Sequence, residues 1–225
     1  MINVSTNLKK IFHKGFQNLF IIIYYSFFCG EFKDCQMKKI ILFASGSGSN
    51  AENIIKFFQQ KKTAEVVAVF SNNPNAKVLE KALNLQVPTY VFTKEELNSG
   101  KVLQKTNEFR PDLIVLAGFL WKFPEDIVAE YPNKIVNIHP ALLPKYGGKG
   151  MYGINVHKTV LENKDLHSGI SIHFVNENYD EGAMIFQAEV LVNDCTTAEE
   201  IALKVQELEH IHFPEIIEKI LKQTS

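Results

Sequence analysis

Apolar and polar positions alternate along the chain in blocks that read as strands and helices in turn. Ile40–Ala44 is a continuous apolar run, as expected of a strand covered on both faces. Asn50–Gln60 then places Ile54, Ile55, Phe57 and Phe58 at helical spacing. Glu65–Phe70 reads as a second strand, Pro74–Leu85 as a helix and Thr89–Phe92 as a short strand. Lys94–Phe109 predicts a helix interrupted at Asn98-Ser99-Gly100. Leu113–Ala117 is another buried strand, Pro124–Tyr131 a short helix with proline at its start, and Lys134–His139 a further strand. This alternation predicts an α/β fold, an open, mostly parallel twisted sheet of Rossmann-like type.

The second half changes style. Pro140–Gly153 is a loop rich in glycine and proline, and Ile154–Glu162 is helical. Gly169–Val175 and Met184–Val192 alternate like antiparallel strands. Thr196-Thr197-Ala198-Glu199 predicts a capping box opening a last helix, and Pro214 is expected to kink or restart it.

Residues 1–36 have a different texture. Lys9, Lys10 and Lys14 precede the aromatic-rich apolar run Leu19–Phe28, a layout that resembles a signal peptide. The run is short for a membrane span and no small-residue cleavage site follows. Met37 opens the first clear strand, so residues 1–36 are expected to be an extension outside the fold and 37–225 the working domain. A membrane anchor or export signal is the alternative.

Composition narrows the partners. Lys+Arg 24 against Asp+Glu 25 leaves a net charge of -1, without the basic field that holds nucleic acid. Cys29, Cys35 and Cys195 form no CxxC pair and no disulfide framework, which predicts a reduced, cytoplasmic protein. His157, His167 and His173 sit on separate elements, and His210 and His212 point to different helix faces, so no metal site is expected.

Two stretches carry candidate chemistry. Ala44-Ser45-Gly46-Ser47-Gly48-Ser49-Asn50 joins a strand to a helix, where free backbone N–H groups favour an anion. A dinucleotide would require a carboxylate after the second strand, and Phe70-Ser71-Asn72-Asn73 has none, so a phosphomonoester is favoured. A tight turn with no ligand is the plainer alternative. In Asn137-Ile138-His139, positions i and i+2 of a strand project together. A carboxamide and an imidazole there could hold a developing oxyanion and move protons, or could simply be a satisfied polar pair. Asp180, in Asn178-Tyr179-Asp180-Glu181-Gly182, is either a turn former or the carboxylate that supports His139.

Residues 37–220 resemble the phosphoribosylglycinamide formyltransferases, folate-dependent enzymes of purine synthesis. The resemblance rests on Gly46–Asn50, Pro111–Phe119, Asn137–Pro144, Ser171–Val175, Asp180-Glu181-Gly182, and Gln206 with Glu209-His210. It implies that Gly48, Ser49 and Asn50 hold the substrate phosphate and Glu209 the glycinamide amine region. It implies a folate site at Leu120, Trp121, Lys122 and Phe123, with Lys94 at the folate tail and Asn137 and His139 at the formyl group. Asp180 would support His139. The implied co-substrate is 10-formyltetrahydrofolate and the implied acceptor phosphoribosylglycinamide, with no metal and no nucleic-acid or membrane partner, and a homodimer left open. The resemblance also suggests a cis bond at Leu143-Pro144.

Two features depart from the family. Lys145–Gly153 is longer than usual, so Gly147, Gly148 and Gly150 are expected to build a lid. Trp121-Lys122 replaces a more familiar Arg-apolar pair. Related readings are disfavoured on domain content: the folate deformylase carries an N-terminal regulatory domain and methionyl-tRNA formyltransferase an extra C-terminal one. From other classes, a NAD(P) dehydrogenase lacks its carboxylate here, and a non-catalytic phosphate module leaves Asn137 and His139 unexplained.

Overall fold

The computed structural model describes residues 37–223; the expectations for residues 1–36 lie outside the described residues. The predicted apolar runs form strands β1 (Lys38–Phe43), β2 (Ala64–Ser71), β3 (Thr89–Val91), β4 (Leu113–Leu116) and β5 (Ile135–His139). The antiparallel pair is β6 (His167–Phe174) and β7 (Met184–Leu191). Helices are α1 (Ser49–Lys61), α2 (Lys77–Asn84), α3 (Lys94–Asn98), α4 (Lys101–Phe109), α5 (Glu125–Glu130), α6 (Ile154–Glu162) and α7 (Ala198–Gln223).

The strands make one seven-stranded sheet in the order β3-β2-β1-β4-β5-β6-β7. Five strands run parallel, while β6 pairs antiparallel with both β5 and β7. Period-2 alternation sends the two halves of each central strand to opposite cores. Ile40 and Leu42 join Ile54, Val78, Val160 and Ile201 on one face. Ile41 and Phe43 join Leu97, Val102 and Ile127 on the other. The Phe43 ring anchors that second core, with Phe70 at 4.9 Å, Phe123 at 5.0 Å and Phe119 at 5.7 Å between centroids.

Gly100, with φ 79, ends the Lys94–Phe109 segment's first helix and starts its second. The Leu143-Pro144 peptide is cis. Two expectations need correction. The capping box of α7 pairs Thr197 with Glu200 rather than starting at Thr196: Glu200 N–H donates to Thr197 Oγ1 and Thr197 N–H to Glu200 Oε2. Pro214 does not divide α7, which is continuous from Ala198 to Gln223. Proline lacks the N–H that would bond the carbonyl four residues back, that of His210. Asn53 Nδ2 of α1 donates to that carbonyl instead, at 2.7 Å. Among the described residues, no helix is long and apolar enough to cross a membrane.

Candidate active site

The strand order reverses between β1 and β4, and the crevice beyond their carboxyl ends is where such sheets bind ligands. The loops leaving both strands are tied there. Ser45 N–H donates to the Gly118 carbonyl, and Leu120 N–H donates to Ser45 Oγ, each at 3.0 Å. Gly48, immediately before α1, has φ +69, and a Cβ on it would lie 2.5 Å from the Val78 side chain and 2.7 Å from Val78 Cα. Glycine is required there twice over, by backbone conformation and by the close approach of α2.

Helix α7 crosses the start of α1 and closes one side of the crevice. Gln206 Nε2 donates to Ser49 Oγ at 3.1 Å, and Asn50 Nδ2 to Glu209 Oε2 at 2.8 Å. Burial pushes the Glu209 carboxyl up, opposed by the Asn50 hydrogen bond. Asn50 Oδ1 is buried with no protein partner. Gln206 was legible only as part of the family resemblance; its spacing of three from Glu209 on one helix was the further signal.

The end of β5 carries the second cluster. His139 is 4% exposed. Its Nε2 lies 2.7 Å from the Tyr146 carbonyl, and its Nδ1 3.6 Å from Asp180 Oδ2. Asn137 faces His173 across the β5–β6 register, with Nδ2 to Nε2 at 3.2 Å. His173 Nδ1 lies 2.8 Å from the Phe174 carbonyl, so Nδ1 carries the hydrogen and Nε2 accepts from Asn137. One N–H of the Asn137 amide is thereby occupied and the other left over. His173 Nε2 also lies 3.6 Å from Asp180 Oδ1. In the sequence His173 stands within the family stretch Ser171–Val175 and among histidines too scattered for a metal site; the antiparallel register that brings it to Asn137 has no local signature.

These charges shape one another. Burial lowers the His139 pKa, against the opposing pull of Asp180 and the Tyr146 carbonyl. Burial alone would raise the Asp180 carboxyl, but His173, His139 and the Gly148 N–H together hold it below its usual range. His157, also lining the crevice, is held down to about 4 by burial and by the nearby His139. Among the described residues, no group of three or more His, Cys, Asp or Glu side chains could hold a metal ion.

One cleft of about 670 Å³ unites both clusters: Gly48, Ser49, Asn50, Gln206 and Glu209 on one side, Asn137, His139 and Asp180 on the other. Gly148, Lys149 and Gly150 of the long loop also line it. The residues expected at a folate are divided. Leu120 lines this cleft, and it also lines a neighbouring one of about 510 Å³ with Lys94, Trp121, Lys122 and Phe123. Phe123 is 5% exposed and its ring packs on Phe43 and Phe119. Trp121 packs on Phe92 and Phe119, and exposed Lys122 pairs with Glu125 at 3.0 Å.

Residues 38–217 match the formyl transferase family. The phosphoribosylglycinamide formyltransferase of Escherichia coli (strain K12) is 35% identical over 184 residues, spanning 79% of this chain and 84% of that protein. The chloroplastic enzyme of the same name from Arabidopsis thaliana is 36% identical over 201 residues, 86% of this chain and 69% of that one. The solved structure of phosphoribosylglycinamide formyltransferase from Anaplasma phagocytophilum superposes with a TM-score of 0.76 at 31% identity, covering 84% of this chain and 89% of that one. Fold, motifs and relatives matched over most of their length thus agree, and the chain belongs to the formyl transferase family, among its phosphoribosylglycinamide formyltransferases.

Proposed function

We propose that the cleft transfers the formyl group of 10-formyltetrahydrofolate to the primary amine of 5'-phosphoribosylglycinamide, a step of purine synthesis. The observation that carries this reading is the meeting of Asn137, His139 and Asp180 in the same cleft as the glycine loop. The backbone N–H groups at Gly48, Ser49 and Asn50 receive the phosphate at the α1 N-terminus. Glu209 and the unpartnered Asn50 Oδ1 are acceptors for the donor groups of the glycinamide. Folate enters past Leu120, with the neighbouring Trp121–Phe123 and Lys94 wall serving its outer parts.

The amine attacks the formyl carbon and a carbon–nitrogen bond forms. The carbonyl oxygen becomes an oxyanion, which the remaining N–H of Asn137 holds. Burial disfavours the charged form of His139, and its Nδ1 takes the proton that the attacking amine releases. The imidazolium then faces Asp180, which stabilises it, and helps hold the oxyanion. His139 returns the proton to the folate nitrogen as its bond to the formyl carbon breaks. The products are formylated acceptor and tetrahydrofolate, and the proton balance closes without a further reactant.

In this reading residues 37–225 carry the chemistry, residues 1–36 are an extension, and cysteine usage favours the cytoplasm. The test is consumption of 10-formyltetrahydrofolate with and without phosphoribosylglycinamide. Turnover that requires the acceptor supports transfer. Equal turnover without it would mean that water is the acceptor and the enzyme a deformylase.

A further inference from the structure

Tyr146 has a left-handed backbone, φ 62, which non-glycine residues adopt rarely. That conformation is held from its side chain. The Tyr146 hydroxyl donates to Asp165 Oδ2 at 2.6 Å and accepts from Asn163 Nδ2 at 2.7 Å. Lys145 Nζ donates to both Asp165 oxygens, at 2.8 and 2.7 Å. None of Lys145, Asn163 or Asp165 lines the cleft that holds His139. The Tyr146 carbonyl nevertheless meets His139 Nε2 at 2.7 Å, and Gly148 N–H meets Asp180 Oδ2 at 2.9 Å.

A carbonyl oxygen only accepts, so this contact places a hydrogen on Nε2. In the neutral ring Nδ1 is then the bare nitrogen. Asp180, 3.6 Å from Nδ1, favours the opposite tautomer, with the hydrogen on Nδ1. The two acceptors are satisfied together only by the imidazolium. Without the carbonyl, Asp180 would draw the single hydrogen to Nδ1 and take away the base that accepts the amine proton.

We infer that Tyr146 and Asp165 are positioning residues of formyl transfer: the Asp165–Tyr146 hydroxyl latch holds the Tyr146 carbonyl on His139 Nε2 and thereby assigns proton movement to Nδ1. This rests on the formyl-transfer reading above. The other titratable groups facing His139 are Asp180, His173 and His157. The latch itself bonds instead to Lys145 and Asn163.

The test uses the full chain with Tyr146→Phe, Asp165→Ala and the double variant, with Lys145→Ala as a control that leaves the hydroxyl bond in place. Tyr146→Phe and Asp165→Ala are each expected to lower kcat about tenfold, the scale of one oriented hydrogen bond, with both KM values held within about twofold. The double variant should be no worse than either single one, because both break the same latch. Loss of the carbonyl removes a group that favours the charged ring, so the His139 limb of the kcat profile should move to lower pH. Nitrogen-15 NMR should find His139 hydrogenated at Nε2 in wild type and in Lys145→Ala, and shifted toward Nδ1 in the latch variants. Unchanged kcat in both latch variants would overturn the inference. So would a lower kcat with a lower melting temperature and an unchanged tautomer, which is a purely structural role. The NMR readout requires no substrate, so a wild type that fails to turn over would sink the formyl-transfer reading alone.

Discussion

Asn50 and Glu209 stand 159 residues apart in the chain, and their side chains meet in a 2.8 Å hydrogen bond that joins the first turn of α1 to α7. The carboxylate's hold on a buried position depends on that amide, since burial otherwise favours its neutral form. Asn50→Ala should therefore raise the KM for phosphoribosylglycinamide at least about tenfold while leaving the KM for folate nearly unchanged, as expected on loss of a hydrogen bond to a charged group. Steady-state kinetics with each substrate varied separately checks this.

Asn137→Ala, His139→Ala and Asp180→Ala should each lower kcat by about 10²–10³, the usual effect of removing one group that acts on developing charge. The far-ultraviolet circular dichroism spectrum should stay at wild type. A His139→Ala variant with near-normal turnover would remove the imidazole from the mechanism.

Gly48→Ala should destabilise the fold by about 1–3 kcal/mol, because alanine is strained at positive φ and its methyl group collides with Val78. Combining it with Val78→Ala should recover only part of the loss, since the contact to Val78 Cα remains. Urea titration of the three variants measures both quantities.

Asn53→Ala should cost about 1 kcal/mol, the net scale of one hydrogen bond, by leaving the His210 carbonyl without its donor. Pro214→Ala restores a backbone N–H in the right place. Asn53→Ala should then cost less in the Pro214→Ala background than in wild type, a coupling that a double-mutant cycle in urea resolves.

Burial and the nearby His139 hold His157 neutral, its pKa lowered to about 4 from the usual 6.5 of an imidazole. The unfolded chain therefore binds more protons than the folded one between those values. Stability contributed by the neutral ring is complete above pH 6.5 and is lost progressively as pH falls toward 4. His157→Gln should flatten the slope of unfolding free energy against pH in that window by up to about one proton.

Much of the sheet was legible because buried parallel strands leave continuous apolar runs, as in Ile40–Ala44 and Leu113–Ala117. Helix α7 does not restart at Pro214 because the carbonyl it leaves unbonded is taken by Asn53, far away in sequence. The capping box was misplaced by one residue because Glu199 and Glu200 are adjacent and only the turn geometry chooses between them. Strand periodicity put Asn137 and His139 on one face. No spacing indicated that Asp180, His173 and the Tyr146 carbonyl would join them. Leu120–Phe123 and Lys94 do line one pocket, in which Phe123 packs on Phe43 and Lys122 pairs with Glu125.

The Phe43 ring cluster has a bearing on selectivity. Through Phe119 it stands directly behind one side of the reaction chamber, where every ring is braced by another. The opposite side is glycine-jointed: Gly148 and Gly150, at φ +92 and +91, have open space beside them. Molecules bound there meet braced rings on one flank and bare backbone on the other. Drift among the rings should alter which ligands fit, whereas a side chain added at Gly148 or Gly150 would meet no neighbour and would strain only its own backbone.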